Sequence, residues 1–169
     1  MILRIVKHGE KILRTPCDPV DYAAVRKDLP RLLRDMFQTM YSVRGVGLAA
    51  PQVGLNLRLS VVDVKPEGLS RRLVLINPEI TAKSGKIVQE EGCLSLPGVY
   101  AQVERCTVVA IKALDARGKP YEMAGEGTLA RVFQHEVDHL NGKLFIDHLD
   151  FITKLKLMSV IRDVRKTWT

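Results

Sequence analysis

The sequence predicts an α+β fold: antiparallel β-sheets packed around a central helix carrying H-E-x-x-H, with an N-terminal helix and a C-terminal helix. Three observations predict it. Apolar residues recur at helical spacing near both ends of the chain, and β-rich runs bounded by turn residues are grouped between them. Helical spacing also resumes around His135-Glu136-Val137-Asp138-His139. Strands and helices that are segregated along the chain, not alternating, point to α+β.

The first helix is set by Val25, Leu29, Leu32, Leu33, Met36, Phe37 and Met40, which share one face. Pro30 suits a first turn, so the spacing predicts a helix over 28–42, with its apolar face and both methionines in the core. A glycine-rich loop follows, Gly45-Val46-Gly47-Leu48-Ala49-Ala50-Pro51-Gln52. Strands are expected over 57–64, over 72–77 where Pro78 closes the run, and over 80–88. A long strand is expected over 103–114, in which Cys106 is a strand residue. Asp115-Ala116-Arg117-Gly118 reads as a turn and 121–125 as the returning partner. A helix over 128–140 stops at Gly142, a residue suited to a left-handed end. The last segment, 150–166, is amphipathic: Phe151, Leu155, Met158 and Ile161 mark a stripe, and Lys154, Lys156, Arg162, Arg165 and Lys166 make it basic.

Length and composition bound the answer. A chain of 169 residues with 46% hydrophobic content suits a single domain, residues 1–169, around one core. No apolar run is long enough to cross a bilayer. The N-terminal Met1-Ile2-Leu3-Arg4-Ile5-Val6-Lys7 is too short and too charged for a signal peptide, so a cytoplasmic protein with no membrane attachment is expected. The net charge of +7 is spread among acids and accompanies no nucleic-acid motif, so no specific nucleic-acid sequence is expected as partner. Three cysteines, an odd count without a secretion signal, read as reduced thiols. Cys17, beside Pro16 in a turn-rich segment, looks incidental. Cys93 follows Gly92 in a compact, turn-like stretch.

The chemistry centres on His135, Glu136 and His139. Positions i and i+4 of a helix lie on one face, so the two imidazoles can bind one metal ion. Glu136 stands beside the first, where a carboxylate can take a proton from metal-bound water. Such a site needs a third protein ligand and one open position. His8, His148, the acids and Cys93 are the candidates, and a Cys93 thiolate would bind a soft or borderline divalent ion strongly.

Three blocks, 45–52, 91–95 and 134–140, resemble the three signature motifs of the peptide deformylase family in order and spacing. The likeness extends from Leu3-Arg4-Ile5-Val6 to Gly142-Lys143-Leu144-Phe145. The resemblance implies that Cys93, His135 and His139 bind the metal and that Glu136 is the general base and acid. Gln52 and the backbone N–H of Leu94 would stabilise the oxyanion. Gly47 would let the substrate backbone approach. Glu91 and Arg105 would form a supporting ion pair near the site, and Asp138 carries no assigned chemistry.

The family's reaction is removal of the N-formyl group from the N-terminal methionine of nascent polypeptides, releasing formate. It would run by attack of metal-bound water on the formyl carbon. One divalent ion is implied, Fe²⁺ as the native metal, with Zn²⁺, Ni²⁺ or Co²⁺ able to occupy the same Cys/His/His set in purified protein. Val46, Thr128, Arg131 and Val132 are the candidates for the methionine pocket. Arg131, Gln89 and Tyr100 depart from the family's usual residues, which bears on preferences beyond the methionine. The basic C-terminal helix suggests ribosome contact near emerging chains. Two other readings share parts of this pattern: an H-E-x-x-H zinc peptidase, and a basic binding protein with a closed structural zinc.

Overall fold

The computed structural model describes residues 1–64 and 70–168. A short helix α1 (Tyr22–Val25) leads into α2 (Leu29–Ser42), followed by β1 (Gly47–Ala49) and β2 (Leu59–Val64). Strands β3 (Arg71–Ser84), β4 (Ile87–Cys93), β5 (Leu96–Arg105), β6 (Val108–Leu114) and β7 (Pro120–Glu126) come next, then helices α3 (Gly127–Leu140) and α4 (Phe151–Val164). All strand pairs are antiparallel. Five strands form one sheet in the order β1-β2-β3-β6-β7, and β4-β5 form a separate hairpin. The α+β expectation holds, and α3 packs across the five-stranded sheet.

The alternation of side chains along a strand explains the layering. In β2, Val61 packs with the α2 face formed by Leu29, Leu33, Met36 and Met40. Its neighbour Val62 points the other way, onto Ala130, Val132 and Phe133 of α3. Leu75 and Ile76 of β3 divide in the same manner. The central strands are therefore apolar on both faces because a helix covers each. A third cluster joins Leu96, Val99 and Val103 of the hairpin to Phe145 and Ile161, which docks α4.

The strand expected over 80–88 is cut at Gly85 (φ +67), where β3 ends and β4 begins in another sheet, and three further elements differ from expectation. Pro78 does not end a strand: β3 runs through it from Arg71 to Ser84. The pairing with β6 shifts register between Ile76 and Glu79, so the proline sits in a bulge where no ladder donor is required. Asn77 takes the left-handed conformation there (φ +51) and its side chain clamps both backbone polar groups of Val20 at 2.8 and 2.9 Å.

The expected strand over 103–114 is two strands in different sheets, broken at Cys106. The Gln134 side chain replaces the ladder at the crossing. Its Oε1 accepts from the Cys106 N–H and its Nε2 donates to the Cys106 carbonyl, both at 3.0 Å.

The stripe expected on α4 also divides. Ile161 is buried with Leu157 against the hairpin, whereas Phe151, Leu155 and Met158 stand in solvent. Leu157 and Ile161 are one turn apart and define the packed face, and the other three lie about a quarter-turn or more away from it. Cys17, expected to be incidental, is buried against Ala49 and Leu140, and that burial pushes its thiol up to about 11.

Asp147 ties these parts together. It pairs with Arg14, accepts from Lys154 Nζ at 2.9 Å and accepts from the Leu144 N–H at 2.9 Å. Burial would raise this carboxyl, but its hydrogen bonds and the Arg14 charge hold it at about 2. A depressed folded-state pKa stabilises above the unfolded value of about 3.9 and is lost as pH falls toward the folded value. Asp147→Asn is expected to destabilise by about 1–2 kcal/mol at neutral pH, allowing for partial exposure. Urea unfolding should show this gap between the two proteins closing between about pH 4 and pH 2.

Among the described residues, no helix is long and apolar enough to cross a membrane.

Candidate active site

Helix α3 puts His135 and His139 one turn apart on the face that meets the end of β4. Their rings stand at 80° with centroids 4.7 Å apart, and the two Nε2 atoms approach to 3.1 Å. Cys93 Sγ, from the last residue of β4, lies 3.3 Å from His139 Nε2. The three ligand atoms all fall within 4.8 Å of one another. Bonds of roughly 2.0–2.3 Å to one tetrahedral cation require donors about 3.3–3.6 Å apart, and the 3.1 and 3.3 Å separations about His139 lie near that range.

Burial opposes ionisation of the Cys93 thiol, but the neighbouring imidazoles hold it well below the ordinary thiol value, in the thiolate form a cation needs. Among the described residues only these three converge; His8 and His148 are not part of the cluster. No fourth protein ligand joins them among the described residues, whereas a closed structural site would need four.

The ring of His135 is fixed from behind. Its Nδ1 meets Glu91 Oε1 at 2.5 Å, which directs Nε2 toward the cluster. Glu91 is gripped by Arg105 through Nε to Oε2 at 3.0 Å and Nη2 to Oε1 at 2.8 Å. Arg105 Nη1 also donates to Asp138 Oδ2 at 2.6 Å, and His148 Nε2 reaches the same oxygen at 2.7 Å. Burial pushes the Glu91 carboxyl upward, yet the bonds and charges of His135 and Arg105 hold it at about 2.

The Glu91–Arg105 pair is thus a buried one, with side chains 6% and 3% exposed, and carries more than a surface pair does. Glu91→Gln should lower metal affinity about 10–100-fold, as loss of a partner behind a ligand does. It should also destabilise by roughly 3 kcal/mol, since Arg105 loses a buried counter-charge. Metal titration and denaturant unfolding read the two effects separately.

Glu136 faces the other side of the cluster. It is 2% exposed, and its Oε2 has no hydrogen-bond partner among the described residues. Burial raises its carboxyl to about 7 against the lowering effect of the two imidazoles, which suits a group that must gain and lose a proton near neutrality. Gly47 of β1 makes room for it: a Cβ there would lie 2.2 Å from Glu136 Oε1. Gly47→Ala must displace the carboxylate, and a misplacement of that size is expected to lower kcat on the order of 10²-fold with the metal content unchanged.

The loop after β1 turns through Ala50–Val53 and brings Gln52 back over the site. Its Oε1 accepts from the Ala49 N–H at 2.9 Å, so its Nε2 is turned toward Ser95 Oγ at 3.3 Å and Cys93 Sγ at 3.4 Å. Ser95 N–H also approaches that sulfur at 3.4 Å.

Gly47, Gln52, Glu91, Cys93, His135 and Glu136 line a cleft of about 600 Å³ together with Val46, Leu94, Arg131 and Val132. Thr128, expected in the methionine pocket, is not among its lining residues and instead borders a neighbouring depression with Val46. The helix turn between Thr128 and Val132 carries it past the cleft mouth. Arg131 Nη1 donates to Gln89 Oε1 at 3.3 Å on the rim, and the Tyr100 ring covers Gly92. Two contributors escaped sequence reasoning. Ser95 lies within the recognised block but had no role, and His148 was weighed only as a ligand.

Comparison with known proteins agrees with this geometry. Residues 2–155 match the family model described as polypeptide deformylase. A peptide deformylase of Elusimicrobium minutum is 40% identical over 99% of both chains. One from Alkalilimnicola ehrlichii is 46% identical over 98% of this chain and 90% of its own. Among solved structures, a peptide deformylase from Legionella pneumophila superposes with a TM-score of 0.90 at 44% identity, covering 99% of this chain and 97% of that one. The Synechococcus elongatus peptide deformylase in complex with actinonin gives 0.85 at 41% identity, covering 94% and 85%.

Proposed function

The chain belongs to the polypeptide deformylase family and is a peptide deformylase, a hydrolase that removes the N-formyl group from nascent peptides; from that premise we propose how its own residues carry the reaction. The observation that supports the reading most is the convergence of Cys93, His135 and His139 beside the buried carboxylate of Glu136, whose Oε2 has no partner among the described residues. Cys93, His135 and His139 hold one divalent cation. When bound, that cation supplies Lewis acidity, lowering the pKa of water toward about 7 and polarising a carbonyl.

Glu136 takes the proton of the attacking water, whose oxygen bonds to the formyl carbon. As negative charge grows on the formyl oxygen, Gln52 Nε2 and the Leu94 N–H donate to it. Glu136 then gives its proton to the departing amine nitrogen as the C–N bond breaks. The carboxylic acid left behind then passes its remaining proton to the freed amine, so the products are formate and a methionine N-terminus in its ammonium form. Gly47 keeps the approach open, and Val46, Val132 and the aliphatic stem of Arg131 take the unbranched methionine side chain.

The donor set of one thiolate and two imidazoles accepts Fe²⁺, Zn²⁺, Ni²⁺ or Co²⁺ without choosing among them, and Fe²⁺ as the native ion rests on the family resemblance. The whole chain, 1–169, acts as one catalytic domain in the cytoplasm, consistent with three free cysteines among the described residues. The exposed Phe151, Leu155, Met158 and Arg162 share one side of α4, Lys156 is exposed on another, and together they offer a basic surface for ribosome contact near the emerging chain. Lys156→Glu with Arg162→Glu should abolish low-salt co-sedimentation with ribosomes, and unchanged co-sedimentation removes that contact.

Formate release from formyl-Met-Ala, measured beside cleavage of the same peptide without its formyl group, tests the activity. Cleavage of the unformylated peptide bond would favour the zinc-peptidase reading instead.

A further inference from the structure

A depression of about 520 Å³ adjoins the cleft and shares Ile5, Lys7 and Val43 with it. The N-terminal segment forms the wall between them. Val6 N–H donates to the Gln52 carbonyl and His8 N–H to the Ser95 carbonyl, both at 2.8 Å, so Lys7 is held between two ties to the loops of the site. The far wall comes from the end of the chain, where Trp168 Nε1 donates to the Pro97 carbonyl at 3.1 Å.

Arg165 lies flat on Gly9. A Cβ at Gly9 would meet Nη2, Cζ and Nη1 of that guanidinium at 2.8, 3.0 and 3.1 Å, and the φ of +106° there also favours glycine. The single acid in the lining, Glu10, is occupied by Arg4 at 2.8 Å. Among the described residues neither Lys7 nor Arg165 forms an ion pair. Among the described residues, two cations therefore face a basin that opens from the catalytic cleft without a counter-charge.

We infer that this basin is a downstream substrate subsite, in which acidic side chains several residues after the formylmethionine are read by Lys7 and Arg165. The inference rests on the deformylase reading and deepens it by naming a substrate class. A peptide leaving the cleft along Ile5 and Lys7 enters the basin without crossing a barrier of its own charge. The contacts are remote from the formyl group and equal in ground and transition states, so they act on KM and leave kcat unchanged.

The test uses C-terminally amidated peptides, so that a side-chain carboxylate is separated from a chain terminus. Formyl-Met-Ala-Ala followed by glutamates is compared with the same peptide carrying lysines, and with formyl-Met-Ala-amide. At low salt the acidic peptide should have a kcat/KM about tenfold higher, through KM, as several exposed charge pairs together provide. High salt should erase the difference. Arg165→Glu should abolish or reverse the preference while formyl-Met-Ala-amide is turned over as before, and Arg165→Lys should retain it. Equal kcat/KM for acidic and basic peptides at low salt, or a preference that survives Arg165→Glu, overturns the subsite. Absence of formate from every peptide, the short one included, overturns the activity itself.

Discussion

Glu136→Gln is expected to lower formate release from formyl-Met-Ala by about 10²–10⁴-fold, the range for loss of a positioned acid–base group. The amide keeps the side chain's volume and its fit against Gly47, so the cleft shape is preserved. The proton traffic is what disappears: an amide cannot take a proton from water at neutral pH or hand one to the amine. Stability should not fall with activity. The native carboxylate is buried and its Oε2 lacks a partner among the described residues, so a neutral group relieves a desolvation cost. Unchanged metal content, equal or higher melting temperature and lost turnover form the expected combination. Near-normal turnover with metal bound would remove Glu136 from the mechanism.

Cys93→Ala has the other large effect, on the cation itself. Partners behind a ligand are worth about 10–100-fold in metal affinity, so loss of a ligand should exceed that. The sulfur also carries the one negative charge in the ligand set, which two neutral imidazoles cannot replace. The variant should purify without stoichiometric metal and show turnover near background. A ligand that binds only the folded state raises its stability, so a chelator should lower the melting temperature of wild type and leave Cys93→Ala unmoved. Equal metal content in the two proteins would dismiss the sulfur as a ligand.

How legible these parts were follows from the distance over which each is set. His135, Glu136 and His139 lie within one helical turn, so spacing alone brings them together. Cys93 is 46 positions from His139, and nothing local in the sequence aims its sulfur at that ring; the resemblance of the surrounding block was needed. The grip of Glu91 on His135 is of the same long-range kind, as is the meeting of Asp138 and His148 on Arg105.

The fold shows the same division. The helix expected over 28–42 is found at Leu29–Ser42 because its apolar face and Pro30 are local signals. The break at Cys106 was hidden because its cause is the side chain of Gln134, far along the chain. Pro78 misled because it ordinarily breaks a ladder, whereas here Asn77 and Val20 stabilise a bulge around it. Thr128 was placed in the pocket by helical phase, but phase does not say where the cleft ends.

X-ray absorption on anaerobically purified protein tests the central claim most directly, because it reads the atoms bound to the cation. The account predicts one divalent ion per chain with one sulfur and two imidazole nitrogens in its shell, the sulfur signal vanishing in Cys93→Ala. A shell of nitrogen and oxygen alone in the wild-type protein, or a fourth side chain closing it, would contradict the account.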